Sequence, residues 1–400
     1  MSHNDSNHRQ EPVVIVGTGL AGYTVARELR KLDTAVPLIL LSQDDGSFYS
    51  KPMLSTALAM KKDARALASF DAAAMAQQLN AEVRTHQRVE RILPSEYTIV
   101  VEGEPLRYSK LVLATGADPR RLRIDGDGAD QILSVNDLAD YDRFRQALSG
   151  CASVAILGAG LIGCEFANDL CAAGYAVSLI DPAASPLARL LPERVGAVFE
   201  KALSARGVRF HIGRGVAAVD RVRSGYRLTL DNGEAVAADL VLSAIGLVPR
   251  TALALAAGIA VEQGIRTDAW CRTSAPDVYA LGDCAAFEGK VQPYVLPIMH
   301  AARALARTLS GQPTRVEFPL MPVIIKTPAA PAVVVVPDEE GEWRIDSASH
   351  ETAHAARAVC HHLPSGRPIG FALVGAATAD KAGLLKELAA AAAAASASAA

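Results

Sequence analysis

Val13-Val14-Ile15-Val16-Gly17-Thr18-Gly19-Leu20-Ala21-Gly22 is the stretch on which the fold turns, and its pattern recurs at Val154-Ala155-Ile156-Leu157-Gly158-Ala159-Gly160-Leu161-Ile162-Gly163. Four apolar residues predict a short buried strand in each case, and a Gly-x-Gly-x-x-Gly run follows directly. The first glycine makes the tight turn and the second lets a pyrophosphate approach the backbone. The third lets helix and strand pack closely, so that the helix N-terminus faces the phosphates. A single hexapeptide of this kind is weak, because glycine turns after strands are common. Two, each after a strand and each opening a helix, predict two dinucleotide sites.

The flanking sequence continues both patterns. A helix to about residue 31 and a strand at 38–41 follow the first; a helix to about residue 173 and a strand at 176–180 follow the second. Strand, helix and strand in this order make a parallel crossover unit. Residues 82–115 read as short strands, ending in Leu111-Val112-Leu113-Ala114. Residues 208–245 read similarly around Asp231-Asn232-Gly233, and helical periodicity returns at 296–309. From Pro319 the chain turns to Pro-rich strands and hairpins such as Gly341-Glu342-Trp343, ending near Leu388. The expected fold class is α/β. It comprises two doubly wound Rossmann-like nucleotide-binding domains, one split (12–118 and 246–318) with the other (119–245) inserted, plus a small C-terminal α+β domain (319–388). A polar arm (1–11) and a low-complexity alanine tail (389–400) are expected to be disordered.

A chain of 400 residues exceeds what one hydrophobic core organises, which agrees with several domains. Its net charge of -3 gives no reason to expect nucleic acid as a partner. The apolar run Val333 to Val336 is closed by Pro337, too short for a bilayer, so no membrane partner is expected. The first residues carry no apolar signal-peptide core, and a cytoplasmic location is expected. Cys151, Cys164, Cys171, Cys271, Cys284 and Cys360 form no Cys-x-x-Cys pair and show no zinc-ligand spacing. They read as reduced, buried small hydrophobes, with no metal site.

An acid that holds a nucleotide ribose is expected at the end of each second strand. Asp181 fills that place in the second unit, where a carboxylate accepts from the ribose hydroxyls and repels a 2′-phosphate; the plainer reading is a capping Asp before Pro182. In the first unit Leu41 is followed by Ser42, Gln43 and Asp44, so only a displaced Asp44 is available.

Two shorter motifs connect the chain to known proteins. Ala114-Thr115-Gly116-Ala117 closes the first sheet, and Tyr279-Ala280-Leu281-Gly282-Asp283-Cys284-Ala285 resembles the FAD ribityl-binding segment of glutathione-reductase-like flavoproteins. More locally, the first fingerprint through Tyr23 resembles the rubredoxin–NAD reductases. So do Tyr49-Ser50-Lys51-Pro52-Met53-Leu54-Ser55-Thr56, GAGLIGCEFANDL (158–170), Met321-Pro322-Val323 and Lys326-Thr327-Pro328. The likeness runs from about Val13 to Leu388. It implies that FAD takes the first fingerprint (Gly17, Thr18, Gly19, Leu20, Ala21, Gly22), with Asp44, Lys51, Val89, Thr115, Gly116, Asp283, Val295 and Lys326. NADH takes Gly158, Gly160, Leu161, Ile162 and Gly163, with Glu165, Asp181 and Gly246.

The resemblance also bears on the chemistry. Disulfide reductases of this superfamily carry a cysteine pair where this chain reads FYSKPMLSTAL (48–58), so electrons must leave for an external acceptor. Lys51 and Glu165 are the implied catalytic residues, expected as an ion pair beside the flavin. Val295 opens a helix whose positive end would favour negative charge on the flavin. The implied activity is NADH-dependent delivery of electrons, one at a time, to rubredoxin, in a chain leading to an alkane hydroxylase or an oxygen- or peroxide-reducing system. A ferredoxin or flavorubredoxin is the alternative acceptor, and a redox sensor without turnover is a further reading. Rubredoxins are small acidic iron–sulfur proteins, so Arg303 and Arg307, or the run Arg120, Arg121 and Arg123, are candidates for docking. His300, Tyr49, Tyr294 and Trp343 read as packing or pocket wall.

Overall fold

The computed structural model describes residues 11–346 and 354–399. Along the chain run β1 (Val13–Val16), α1 (Leu20–Leu32), β2 (Leu38–Leu41), β3 (Glu82–Arg84) and β4 (Lys110–Leu113). Then come α2 (Leu138–Ala147), β5 (Ser153–Leu157), α3 (Leu161–Ala172), β6 (Ala176–Asp181), β7 (Val208–Ile212) and β8 (Leu240–Ser243). Next are β9 (Val278–Ala280), α4 (Val295–Leu309), β10 (Val323–Ile325) and β11 (Ala332–Val335). The last are β12 (Gly341–Ile345), β13 (Ala356–His362), β14 (Pro368–Val374) and α5 (Lys381–Ala399).

Two compact units result. One takes the described residues up to Lys51, with Ala66–Asp118 and Leu247–Pro319. The other takes Pro52–Arg65, Pro119–Gly246 and the described residues from Leu320 onward.

The first unit is built on a parallel sheet ordered β9-β4-β1-β2-β3. All four residues of β1 are buried, as a central parallel strand covered on both faces requires. The amphipathic helices α1 and α4 pack together in this unit. The second unit holds a parallel sheet ordered β7-β6-β5-β8. It also holds an antiparallel sheet ordered β10-β11-β14-β13-β12, with α5 packed against β14. Two doubly wound units and an α+β element at the C-terminal end are the architecture expected from the sequence.

The alanine tail differs from expectation. Residues 1–10 of the N-terminal arm lie outside the described residues, and Glu11 is held 3.2 Å from Arg107. At the other end α5 continues through the alanines to Ala399 instead of fraying at Leu388. Alanine is the best helix former, and the turn that buries Leu384 and Leu388 against Val335, Phe371 and Leu373 supplies the costly nucleus.

All six cysteines are free thiols; Cys164, Cys271, Cys284 and Cys360 are buried, and Cys151 and Cys171 are half-buried. Burial pushes the Cys164 and Cys271 thiols well up from their ordinary range, which keeps them unreactive. No helix among the described residues is long and apolar enough to cross a membrane.

The packing of α5 predicts a sharp contrast. Leu388→Ala should lower stability by about 2–5 kcal/mol, since it opens a cavity in a small cluster. Removing residues 389–400 should change it by less than about 0.5 kcal/mol, as expected for surface changes. Urea unfolding of the two variants checks both values.

Candidate active site

The two glycine runs are the same device built twice. Gly17 turns at φ +117°, and a Cβ there would meet the Ala114 carbonyl oxygen at 2.2 Å. A Cβ on Gly22 would lie 1.9 Å from the Gly17 carbonyl oxygen. In the second unit Gly158 (φ +103°) faces the Ala244 carbonyl at 2.7 Å, and Gly163 faces the Gly158 carbonyl at 1.9 Å. The outer glycines are therefore demanded by the protein's own backbone. The middle glycines are different: a Cβ on Gly19 or Gly160 would meet nothing within 4 Å. These two residues cap α1 and α3 and bring no side-chain acceptor to the first-turn N–H groups. Open space, a positive helix end and free donors fit a pyrophosphate. Leu20 and Ala21 form the first turn of α1, Leu161 and Ile162 that of α3.

The corners where the sequence leads one to expect a ribose acid are built differently. In the second unit Asp181 ends β6; one carboxylate oxygen accepts from Ala159 N in the fingerprint (2.6 Å) and the other from Ala183 N (2.8 Å). Asp181 thus caps the local turn and reaches the loop. In the first unit the buried Thr18 hydroxyl donates to Ser42 Oγ (2.5 Å), and Ser42 donates to Asp44, which also accepts from Gly46 N (2.9 Å). Two hydroxyls span the gap that the displaced acid leaves.

β9 lies beside β4, and Leu281 N continues the ladder to Leu113 O at 3.1 Å. Gly282 then turns at φ +79° with its Cβ position 2.8 Å from Ala21 Cβ, so the Gly-Asp segment is pressed against the fingerprint helix. Asp283 sits 3.6 Å from Lys51 Nζ. Thr115 Oγ1 donates to Arg250 O (3.0 Å), and Arg250 N donates to Gly116 O (3.0 Å). Val89 is buried at the start of a strand, whereas Val295 opens α4 exposed. Arg303 and Arg307 are exposed along the same helix, and His300 is half-buried.

In the second unit Glu165 is wholly buried on α3. It accepts from Lys326 N at 2.9 Å and from the Ser55 hydroxyl, and Lys326 Nζ stands 3.2 Å away. Lys326 Nζ also donates to Pro52 O. Within its own unit each of the two expected catalytic residues has another partner: the cation beside Glu165 is Lys326, and the carboxylate facing Lys51 is Asp283. A buried carboxylate must have its lone pairs satisfied, and the end of β10 offers both an amide and an ammonium from one residue. Gly246, at φ +103°, accepts from Arg120 N at 2.9 Å.

Ser42, Ser55, Asn168 and Asp169 were not singled out from the sequence. A signal existed for the last two: Glu165, Asn168 and Asp169 are spaced i, i+3, i+4 in a helix otherwise apolar.

Similarity to known proteins agrees with this geometry. The family model described as pyridine nucleotide-disulphide oxidoreductase matches residues 11–307. The chain belongs to that family. FAD and NADH are its cofactors. A second model, described as the rubredoxin binding C-terminal domain, matches residues 315–388. Over 380 residues the chain is 46% identical to the rubredoxin-NAD(+) reductase of Alcanivorax borkumensis, spanning 94% of this chain and 98% of that one. With the rubredoxin-NAD(+) reductase of Acinetobacter baylyi the identity is 45% over 375 residues, or 91% and 94% of the two chains. The crystal structure of a ferredoxin reductase from Rhodopseudomonas palustris superimposes with a TM-score of 0.82 at 26% identity, over 91% of each chain.

The glycine geometry predicts two classes of variant. Gly22→Ala and Gly163→Ala should lower the melting temperature of their unit, because backbone must move. Gly19→Ala and Gly160→Ala should leave the unfolding of the apoprotein unchanged yet weaken FAD or NADH binding about tenfold, roughly 1.4 kcal/mol. Calorimetric melting and nucleotide titration separate the two.

Proposed function

We propose that this chain is an NADH-dependent flavoprotein reductase that delivers electrons one at a time to rubredoxin. The observation that carries the reading is the C-terminal antiparallel sheet, whose residues match a rubredoxin-binding domain. The absence of cysteine from residues 48–58 supports it, since there is no internal disulfide to reduce. FAD, when bound, takes an electron pair from NADH and releases electrons singly.

Each residue then has a task. The backbone of 17–22 holds the FAD pyrophosphate, while Asp283 accepts from the ribityl chain. Val89 and the Thr115-Gly116 turn line the same cofactor, and the Thr18–Ser42–Asp44 hydroxyl relay serves its ribose. Lys51 and the N-terminus of α4 at Val295 supply positive potential. The backbone of 158–163 holds the NADH pyrophosphate, with Gly246 leaving room beside it. Asp181 selects NADH over NADPH, since a 2′-phosphate would face its carboxylate. Glu165 serves the reduction of the flavin by NADH, as a neutralised pair with Lys326 held in place by Ser55. Arg303 and Arg307 steer an acidic carrier. The cytoplasm is the compartment we assign, supported by six cysteines that remain thiols. An alkane hydroxylase or an oxygen- or peroxide-reducing system downstream is part of the same reading.

Anaerobic stopped-flow tests the acceptor. Enzyme reduced with NADH should pass electrons to purified rubredoxin at least about tenfold faster than to a ferredoxin, a difference of roughly 1.4 kcal/mol in barrier. Faster reduction of a ferredoxin or a flavorubredoxin would replace the carrier. Asp181→Ser should raise the NADPH to NADH preference about tenfold or more, measured as kcat/KM for each nucleotide. Lys51→Met should alter the flavin spectrum or slow reduction by NADH; if neither changes, Lys51 has no role beside the flavin.

A further inference from the structure

Residues 52–65 lie, in sequence, inside the half of the chain that carries the first fingerprint, yet they belong to the second compact unit. The hydrogen bonds explain why. Asp169, on α3, is 2% exposed, and its two carboxylate oxygens accept from Leu58 N (2.9 Å) and Ala59 N (3.0 Å). The Lys62 carbonyl accepts from Tyr141 Oη on α2 at 3.0 Å, and from Arg145. One turn before Asp169 on α3, Glu165 holds the Ser55 hydroxyl. Asn168 accepts from Ala329 N at 3.1 Å, three residues beyond Lys326.

Glu165, Asn168 and Asp169 therefore form one buried polar face of α3, and that face grips the backbone of two separate segments. Such residues weaken a helix interior on intrinsic propensity, because their side chains compete for nearby backbone groups. Burying a carboxylate also costs several kcal/mol unless its oxygens are bonded. Burial raises the pKa of Asp169, while the amides of Ala59 and Leu58 act in the opposite direction, as does the more distant Lys326. The two amides accordingly make the burial of this carboxylate tolerable.

We propose that Asp169 is a positioning residue for Glu165. By fixing Leu58 and Ala59 it sets the place of Ser55, whose hydroxyl holds the Glu165 carboxylate in one orientation. Asn168 acts from the opposite side, fixing the turn at Ala329 and through it Lys326. The proposal rests on the reading that Glu165 serves the reduction of the flavin by NADH.

Asp169→Asn keeps the size of the side chain but turns an NH2 group towards one of the two amides, so one bond is lost. In the FAD-loaded enzyme, hydrogen exchange at Leu58 and Ala59 should accelerate at least about tenfold, the loss of roughly 1.4 kcal/mol of local protection. Reduction by NADH alone, without any carrier protein, should slow about tenfold at unchanged FAD content. Ser55→Ala should slow it comparably, and the double variant should be no slower than the slower single one, because both act on the same carboxylate. Faster exchange with a wild-type reduction rate, or slowdowns that multiply, would overturn the proposal. If Asp169→Asn does not retain FAD, Asn168→Ala carries the test: exchange at Ala329 should rise and reduction should slow, and an unchanged rate overturns it. Wild-type enzyme that NADH reduces, but that fails to reduce rubredoxin, removes the carrier reading alone.

Discussion

The approach of a helix to the strand before it, close enough that no Cβ fits between them, is the constraint on which both nucleotide sites depend. At Gly22 and at Gly163 the missing methyl would lie 1.9 Å from a carbonyl oxygen of the preceding turn. That contact fixes where α1 and α3 begin, and hence where their unpaired N–H groups point. The open space over Gly19 and Gly160 follows from it. Asp181 ends the neighbouring parallel strand, where register carries it level with the fingerprint loop. The Gly-Asp segment reaches α1 because Gly282 lets it press on Ala21.

The second constraint is electrostatic. Glu165 is buried without any exposed surface and one turn from the buried Asp169. Two carboxylates on one helix repel each other and lose their hydration, so each must find donors nearby. The chain supplies them from afar in sequence: amides at 58 and 59, a hydroxyl at 55, and an amide and an ammonium at 326. Those donors are what tie residues 52–65 and the start of the antiparallel sheet to α3. A polar network of this kind is costly when half satisfied and rigid when complete. Its completeness here explains why a loop with few apolar anchors has a defined place.

The legible part of this chain was the part governed by local rules. Strand, glycine turn and helix follow from periodicity and from φ angles that only glycine adopts, so β1–α1–β2 and β5–α3–β6 could be read within a residue or two. The places of Asp181 and Asp283 in the fold could be read for the same reason, each at or just beyond the end of a strand that is paired in register with a motif strand. The partners of Lys51 and Glu165 could not, because sequence distance says nothing of which cation reaches a buried carboxylate first. The alanine tail misled in another way. Its composition suggests disorder, but propensity decides once the adjoining turn of α5 is packed.

The two fingerprint loops are tied to the ends of their neighbouring strands in unequal ways. Where the acid ends its strand, as Asp181 does, one carboxylate both closes the turn and touches the second residue of the fingerprint. Where the acid is displaced, as Asp44 is, that second residue must itself be polar, and Thr18 stands where the other unit has Ala159. Thr18 and Ser42 are meaningful only as a pair: a lone buried hydroxyl at either place would cost free energy without a partner. The threonine inside the first fingerprint thus links that loop, through Ser42, to the displaced Asp44.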